Sequence, residues 1–141
     1  MYQAFEQPAD DAKTVLIVED QIEMRAINAM YLHHHGYRVV AADNGIDGLK
    51  AARETHPDLI MMDMSMPEMD GWTLTRLLKD DPVLSSIPVI AVTSHAMRED
   101  QRRAKDVGCD AYMSKPIDYF KLNEMVQRYL AHVHMRARTV N

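Results

Sequence analysis

A chain of 141 residues is long enough for one domain with a full hydrophobic core and too short for two of ordinary size. Its 16 basic and 21 acidic side chains leave a formal net charge of −5, without the basic stripe that phosphate neutralisation requires, so direct nucleic-acid binding is not expected. No apolar run reaches transmembrane length and the opening MYQAFEQPADDAK is polar and acidic, so neither membrane insertion nor a secretory signal is expected and the address is cytoplasmic. The single cysteine, Cys109, excludes an internal disulfide and reads as a small buried residue.

Residues 1–13 have no hydrophobic periodicity and read as a flexible lead-in. TVLIV at 14–18 is a strand. Met24, Ile27, Asn28 and Tyr31 then recur at helical spacing, and Gly36 supplies a stop. YRVVAA at 37–42 is a second strand, followed by a helix marked by Ile46, Leu49 and Ala52. DLIMMD at 58–63 is a third strand, and Trp72, Leu74, Leu77 and Leu78 mark a third helix. PVIAVTS at 88–94 precedes a helix from Met97 to Val107, closed by Gly108. DAYMS at 110–114 is the fifth strand, and Asp118 is a plausible N-cap for a last helix with Leu122, Met125, Val126, Tyr129, Leu130 and Val133 on its apolar face. The first, third and fourth strands are nearly unbroken apolar runs, as parallel strands covered on both faces are. Strict βα alternation, five times over, predicts an α/β fold with a doubly wound five-stranded parallel sheet and five helices.

Ligands of such sheets bind beyond the carboxyl ends of the strands, where the unusual polar residues fall. Glu19 and Asp20 follow the first strand, Asp63 ends the third, Thr93 and Ser94 end the fourth, and Lys115 follows the fifth. Each pair of like charges ~4 Å apart repels by about 4 kcal/mol at an effective dielectric of ~20, so three converging carboxylates call for a positive partner. A hard divalent cation with oxygen ligands, Mg2+ above all, meets that need and leaves room for a phosphate. With Lys115 as a point charge and Thr93 as a hydroxyl donor, the set suits in-line phosphoryl transfer to a carboxylate already ionised at neutral pH.

The blocks VLIVEDQ, DLIMMDMSMPEMDGW, PVIAVTSHA and AYMSKP together resemble the receiver domain of bacterial two-component response regulators. The resemblance covers residues 14 to about 134, leaving 1–13 and a tail at 135–141 outside it, with too few residues after the last helix for an output domain. It implies a flavodoxin-like, CheY-like strand order 2-1-3-4-5, the order given for that fold in general. It implies that Asp63 accepts a phosphoryl group from a phosphohistidine on a sensor histidine kinase or histidine phosphotransfer protein. Asp20, Asp63 and the backbone carbonyl of Ser65 would bind Mg2+ directly, with Glu19 acting mainly through a bound water. Lys115 would pair with the phosphoryl group, its bond to Pro116 would be cis, and Thr93 with Tyr112 would form a switch that alters binding of a downstream protein target. A phosphorylation-linked dimer is a further implied possibility. Such a protein is not a turnover enzyme, although it assists its own phosphorylation and dephosphorylation. The positions of Met64, Ser65 and His95 are ones that tune the lifetime of the phosphorylated state, and Trp72 lies too far along the chain to flank Asp63 as a fluorescence reporter.

Three other readings compete. Met62, Met64 and Met66 form a thioether pattern of the kind that selects Cu(I), against simple core packing. A flavodoxin-like FMN protein would share the architecture, but three carboxylates repel a cofactor phosphate and no Gly/Ser/Thr-rich loop follows the first strand. A pseudo-receiver would fold alike without being phosphorylated, yet the acidic pair, Asp63 and Lys115 are all present. His33, His34 and His35 occupy consecutive helix positions that point in different directions, which favours helix-end solvation over metal binding.

Overall fold

A computed structural model describes residues 7–66, 68–94 and 98–140, with side chains described as far as Ala131. Met97 and His95 lie outside the described residues. The elements run β1 (Thr14–Val18), α1 (Ile22–His34), β2 (Arg38–Ala42), α2 (Gly45–Thr55), β3 (Leu59–Asp63), α3 (Gly71–Asp80), β4 (Val89–Thr93), α4 (Arg98–Val107), β5 (Ala111–Ser114) and α5 (Tyr119–Val140). The sheet is parallel throughout, in the order β2-β1-β3-β4-β5.

The period-2 alternation of strand side chains divides the core into two layers. Leu16, Val18, Ile60, Met62 and Ala91 pack with Ala52 of α2, Leu74 and Leu78 of α3, and Ala104 and Val107 of α4. Val15, Ile17, Leu59, Met61, Ile90 and Val92 pack on the other face with Leu32 of α1 and Leu122, Val126 and Leu130 of α5. Because both faces are covered, β3 and β4 are buried at every residue. The edge strands β2 and β5 are only partly buried, which explains their weaker apolar runs.

The methionines that raise the copper question serve this packing. Met62, Met64 and Met66 are buried in one apolar layer beside Trp72 and Leu74, while Met61 fills the other. Side-chain caps begin the helices where the sequence carries Asn or Asp. Asn44 accepts from the Asp47 amide, Asp70 from the Thr73 amide, and Asp118 from the amides of Phe120 and Lys121, each such cap contributing about 1 kcal/mol. Gly36 closes α1 with φ +92°, a conformation that favours glycine.

Some apolar residues that mark helical periods do not face the core: Ile27, Ile46 and Leu77 are exposed. The last helix, α5, runs on as backbone helix through Val140. Among the described residues, no helix is long and apolar enough to cross a membrane.

Candidate functional site

Parallel pairing delivers the polar residues to one end of the sheet. Val18 sits opposite Met62 and Asp63 opposite Val92, so the residues ending or following β1, β3, β4 and β5 converge. Carboxylate oxygens of Glu19, Asp20 and Asp63 lie within 4.8 Å of one another. Glu19, Asp63 and Thr93 are buried, whereas Asp20 is only half-buried at the rim. Lys115 directly follows β5, and its bond to Pro116 is cis. Its Nζ lies 3.0 Å from Glu19 Oε1 and 3.5 Å from Asp63 Oδ2.

The backbone around the carboxylates is held by short-range bonds. The Ser65 amide donates to Asp63 Oδ1 at 3.0 Å, and the Gln21 amide to Glu19 Oε2 at 3.2 Å. Arg25, one turn into α1, donates from Nη1 to the Glu19 carbonyl at 3.1 Å. Gly71 makes the tight approach of α3 possible: a Cβ there would stand 2.5 Å from the Asp63 carbonyl oxygen and 2.7 Å from Met64 Cα.

Burial pushes the Glu19 carboxyl above its ordinary value, and the neighbouring Asp63 pushes further, against the opposing hydrogen bonds from Lys115 and Gln21. Burial alone would lower the Lys115 ammonium, but its bonds and charge interactions with Glu19 and Asp63 prevail and raise it. The site is thus short of positive charge despite Lys115. Three hard oxygen donors within reach of one point suit a small divalent cation, and the residues that would hold it are Glu19, Asp20 and Asp63, with Ser65 adjoining.

The Thr93 side chain lies close enough to Tyr112 to act on its hydroxyl. The Tyr112 ring is half-buried against the layer that contains Ala104 and Val107 of α4. Burial raises its hydroxyl pKa, the nearby Asp100 adds to the rise, and Thr93 opposes it. All seven residues singled out from the sequence, Glu19, Asp20, Asp63, Ser65, Thr93, Tyr112 and Lys115, therefore lie at or beside one end of the sheet.

The family model for the response regulator receiver domain matches residues 15–127. The chain belongs to the response regulator receiver family. The polar-differentiation response regulator DivK of Brucella ovis is 44% identical over 119 residues, which is 84% of this chain and 96% of that protein. A receiver domain of a signal transduction histidine kinase from Syntrophus aciditrophicus is 37% identical, with a TM-score of 0.81, covering 86% of this chain and 92% of that one. The receiver domain of a sensor histidine kinase from Pseudomonas aeruginosa, solved with a magnesium ion coordinated in its active-site cleft, is 28% identical with a TM-score of 0.79, covering 85% of this chain and 98% of that one. The protein is thus a receiver of two-component signal transduction with the CheY-like fold, and the flavin alternative is set aside.

Two residues escape sequence reasoning. Arg25 carries no signal in the sequence, yet it ties α1 to the acidic loop. Asn28 falls among the apolar positions of α1, and a fully buried amide there is the signal.

Proposed function

We propose that Asp63 is the phosphoacceptor. The observation that carries this reading is a buried carboxylate, bonded by the Ser65 amide and Lys115, beside two further carboxylates at the sheet's carboxyl end. An Asp63 oxygen attacks phosphorus in line as the phosphorus–nitrogen bond of a phosphohistidine breaks, and the imidazole leaves with that electron pair and takes up a proton. Lys115 moves from neutralising Glu19 and Asp63 to pairing with the phosphoryl oxygens. Asp20, Asp63 and the Ser65 carbonyl would hold Mg2+, with Glu19 acting mainly through a bound water, and the ion would supply charge neutralisation. The same side chains assist hydrolysis of the aspartyl phosphate by water.

The Thr93 hydroxyl then moves toward a phosphoryl oxygen and the Tyr112 ring turns inward behind it, which stabilises one of two conformers and shifts their populations. Tyr112 borders a groove of about 350 Å3 with Gln101, Pro116 and Lys121, and this face receives the downstream protein target. The phosphodonor, a sensor histidine kinase or histidine phosphotransfer protein of the cytoplasm, docks over α1 near Gln21 and Ile22, where Ile22 is 70% exposed. Phosphorylation-linked dimerisation would use the same reshaped face.

The test is intact mass after incubation with acetyl phosphate, with and without Mg2+, for the wild type and Asp63→Asn. One added phosphoryl group requiring both Mg2+ and Asp63 is expected. Addition to Asp63→Asn, or none to the wild type, overturns the assignment.

A further inference from the structure

Behind the carboxylates lies a cavity of about 10 Å3, lined by Glu19, Asn28 and Asp63 among apolar side chains of β1, β3 and β4. That is close to the room one water requires, and a water persists in such a place when two to four polar groups line it. Glu19 and Asp63 supply acceptors. Asn28, 2% exposed, supplies the donor: its amide oxygen accepts the Tyr119 hydroxyl at 2.8 Å, and its two N–H groups have no protein acceptor among the described residues. An amide N–H turned to this cavity is met by a polar occupant, which accounts for an asparagine within an apolar helix face.

Tyr119 is itself anchored. Its carbonyl accepts the Tyr31 hydroxyl at 2.9 Å, and the Tyr31 and Tyr119 rings stack with centroids 4.8 Å apart. With the Tyr119 hydroxyl donating to the Asn28 amide oxygen, the NH2 of Asn28 is left for the cavity.

We propose that Asn28 is a positioning residue of the acidic site, acting on Glu19 and Asp63 through one water in the cavity they share, with Tyr119 fixing its orientation. The proposal rests on the reading of the acidic triad as a Mg2+-dependent phosphoacceptor site. Partners of this outlying kind orient ligating carboxylates, and their loss commonly lowers metal affinity 10- to 100-fold; a water-mediated contact calls for the lower end.

The experiment is Mg2+ titration by calorimetry of the full unphosphorylated chain, for wild type, Asn28→Leu and Tyr119→Phe, with circular dichroism to establish folding. Phosphorylation by acetyl phosphate is followed in parallel by intact mass, separating the saturating rate from the donor concentration at half-rate. Asn28→Leu is expected to weaken Mg2+ binding roughly tenfold and to lower the saturating rate, with little change in the half-rate concentration. Tyr119→Phe, which leaves Asn28 in place, should weaken Mg2+ binding two- to threefold. Unchanged Mg2+ affinity in both folded variants overturns the proposal, and if Asn28→Leu does not fold, Tyr119→Phe decides it alone. Because the titration needs no phosphodonor, a wild type that binds Mg2+ but takes no phosphoryl group overturns the phosphoacceptor reading while leaving the role of Asn28 to the titration.

Discussion

Lys115 Nζ reaches Glu19 Oε1 more closely than Asp63 Oδ2, 3.0 against 3.5 Å. One ammonium thus serves two buried carboxylates, and a third, Asp20, lies within their reach. The charge imbalance is a stability cost retained at a functional site. Asp63→Asn removes one member while its Oδ1 can still accept the Ser65 amide. We expect this variant to be more stable than wild type by about 1 kcal/mol in Mg2+-free urea unfolding, and to lose the Mg2+-dependent rise in stability that the wild type shows. A destabilised Asp63→Asn would mean that Lys115 already balances the site.

The pH dependence follows from the same pair. Glu19 has a raised folded value, so its contribution to stability is full below its unfolded value near 4.5 and is lost as pH rises through the raised one. Without Mg2+, stability owed to Glu19 should fall between weakly acidic and neutral pH, and Glu19→Gln should flatten that limb. Lys115, also raised, keeps its contribution at neutral pH and loses it only above its ordinary value of 10.5, as pH rises through the folded one. Thermal melts from pH 4.5 to 7.5 in chelator, for wild type and Glu19→Gln, check the first statement. Coincident profiles would remove Glu19 as the cause.

How much of this is legible in the sequence depends on the range of the interaction. Asp63 declares itself by ending an apolar run, and parallel pairing carries it to Glu19, Asp20, Thr93 and Lys115, so alternation of elements is enough to assemble the site. Ile27 and Ile46 mislead because hydropathy marks a helical period without saying which face the sheet covers; both are exposed. Asn28 is hidden for the opposite reason. Its helical spacing is right, and only Tyr119, distant in sequence, and a cavity shared with Glu19 give the amide its surroundings. The approach of Thr93 to Tyr112 likewise joins residues of two neighbouring strands, and spacing cannot report it.

Trp72, in the first turn of α3, lies beside one of the switch elements. The guanidinium carbon of Arg103, on α4, lies 4.4 Å from its ring centroid. Such a contact is worth about 0.5–1 kcal/mol at a surface and alters the environment of the only tryptophan. Movement of α4 after Tyr112 turns inward should therefore change Trp72 emission. Acetyl phosphate with Mg2+ is expected to shift that emission in the wild type, while Arg103→Ala shifts the resting spectrum and abolishes the response. Identical responses in both proteins would separate Trp72 from α4.

Cys109 sits between α4 and β5, half-buried against the same apolar layer as Tyr112. Burial is the main reason its thiol is pushed up to about 11; Asp110 adds to the rise, while the Thr75 hydroxyl and the Lys79 ammonium oppose it. Lys79 is committed elsewhere, to Asp110 Oδ2 at 3.1 Å and to the carbonyls of Ser85 and Ile87, so it cannot swing over to activate the sulfur. At pH 8 the thiolate is on the order of one part in a thousand, and nucleophilicity follows the thiolate. Iodoacetamide should therefore modify the native chain far more slowly than the urea-unfolded chain at pH 8, with the native rate rising until about pH 11. Lys79→Met should slow the native reaction further by removing a cation that favours the thiolate, provided the fold survives loss of the Asp110 pair. Native alkylation at the unfolded rate would show that the α4–β5 junction opens readily, and would relocate the rigid boundary of the switch to β5 itself.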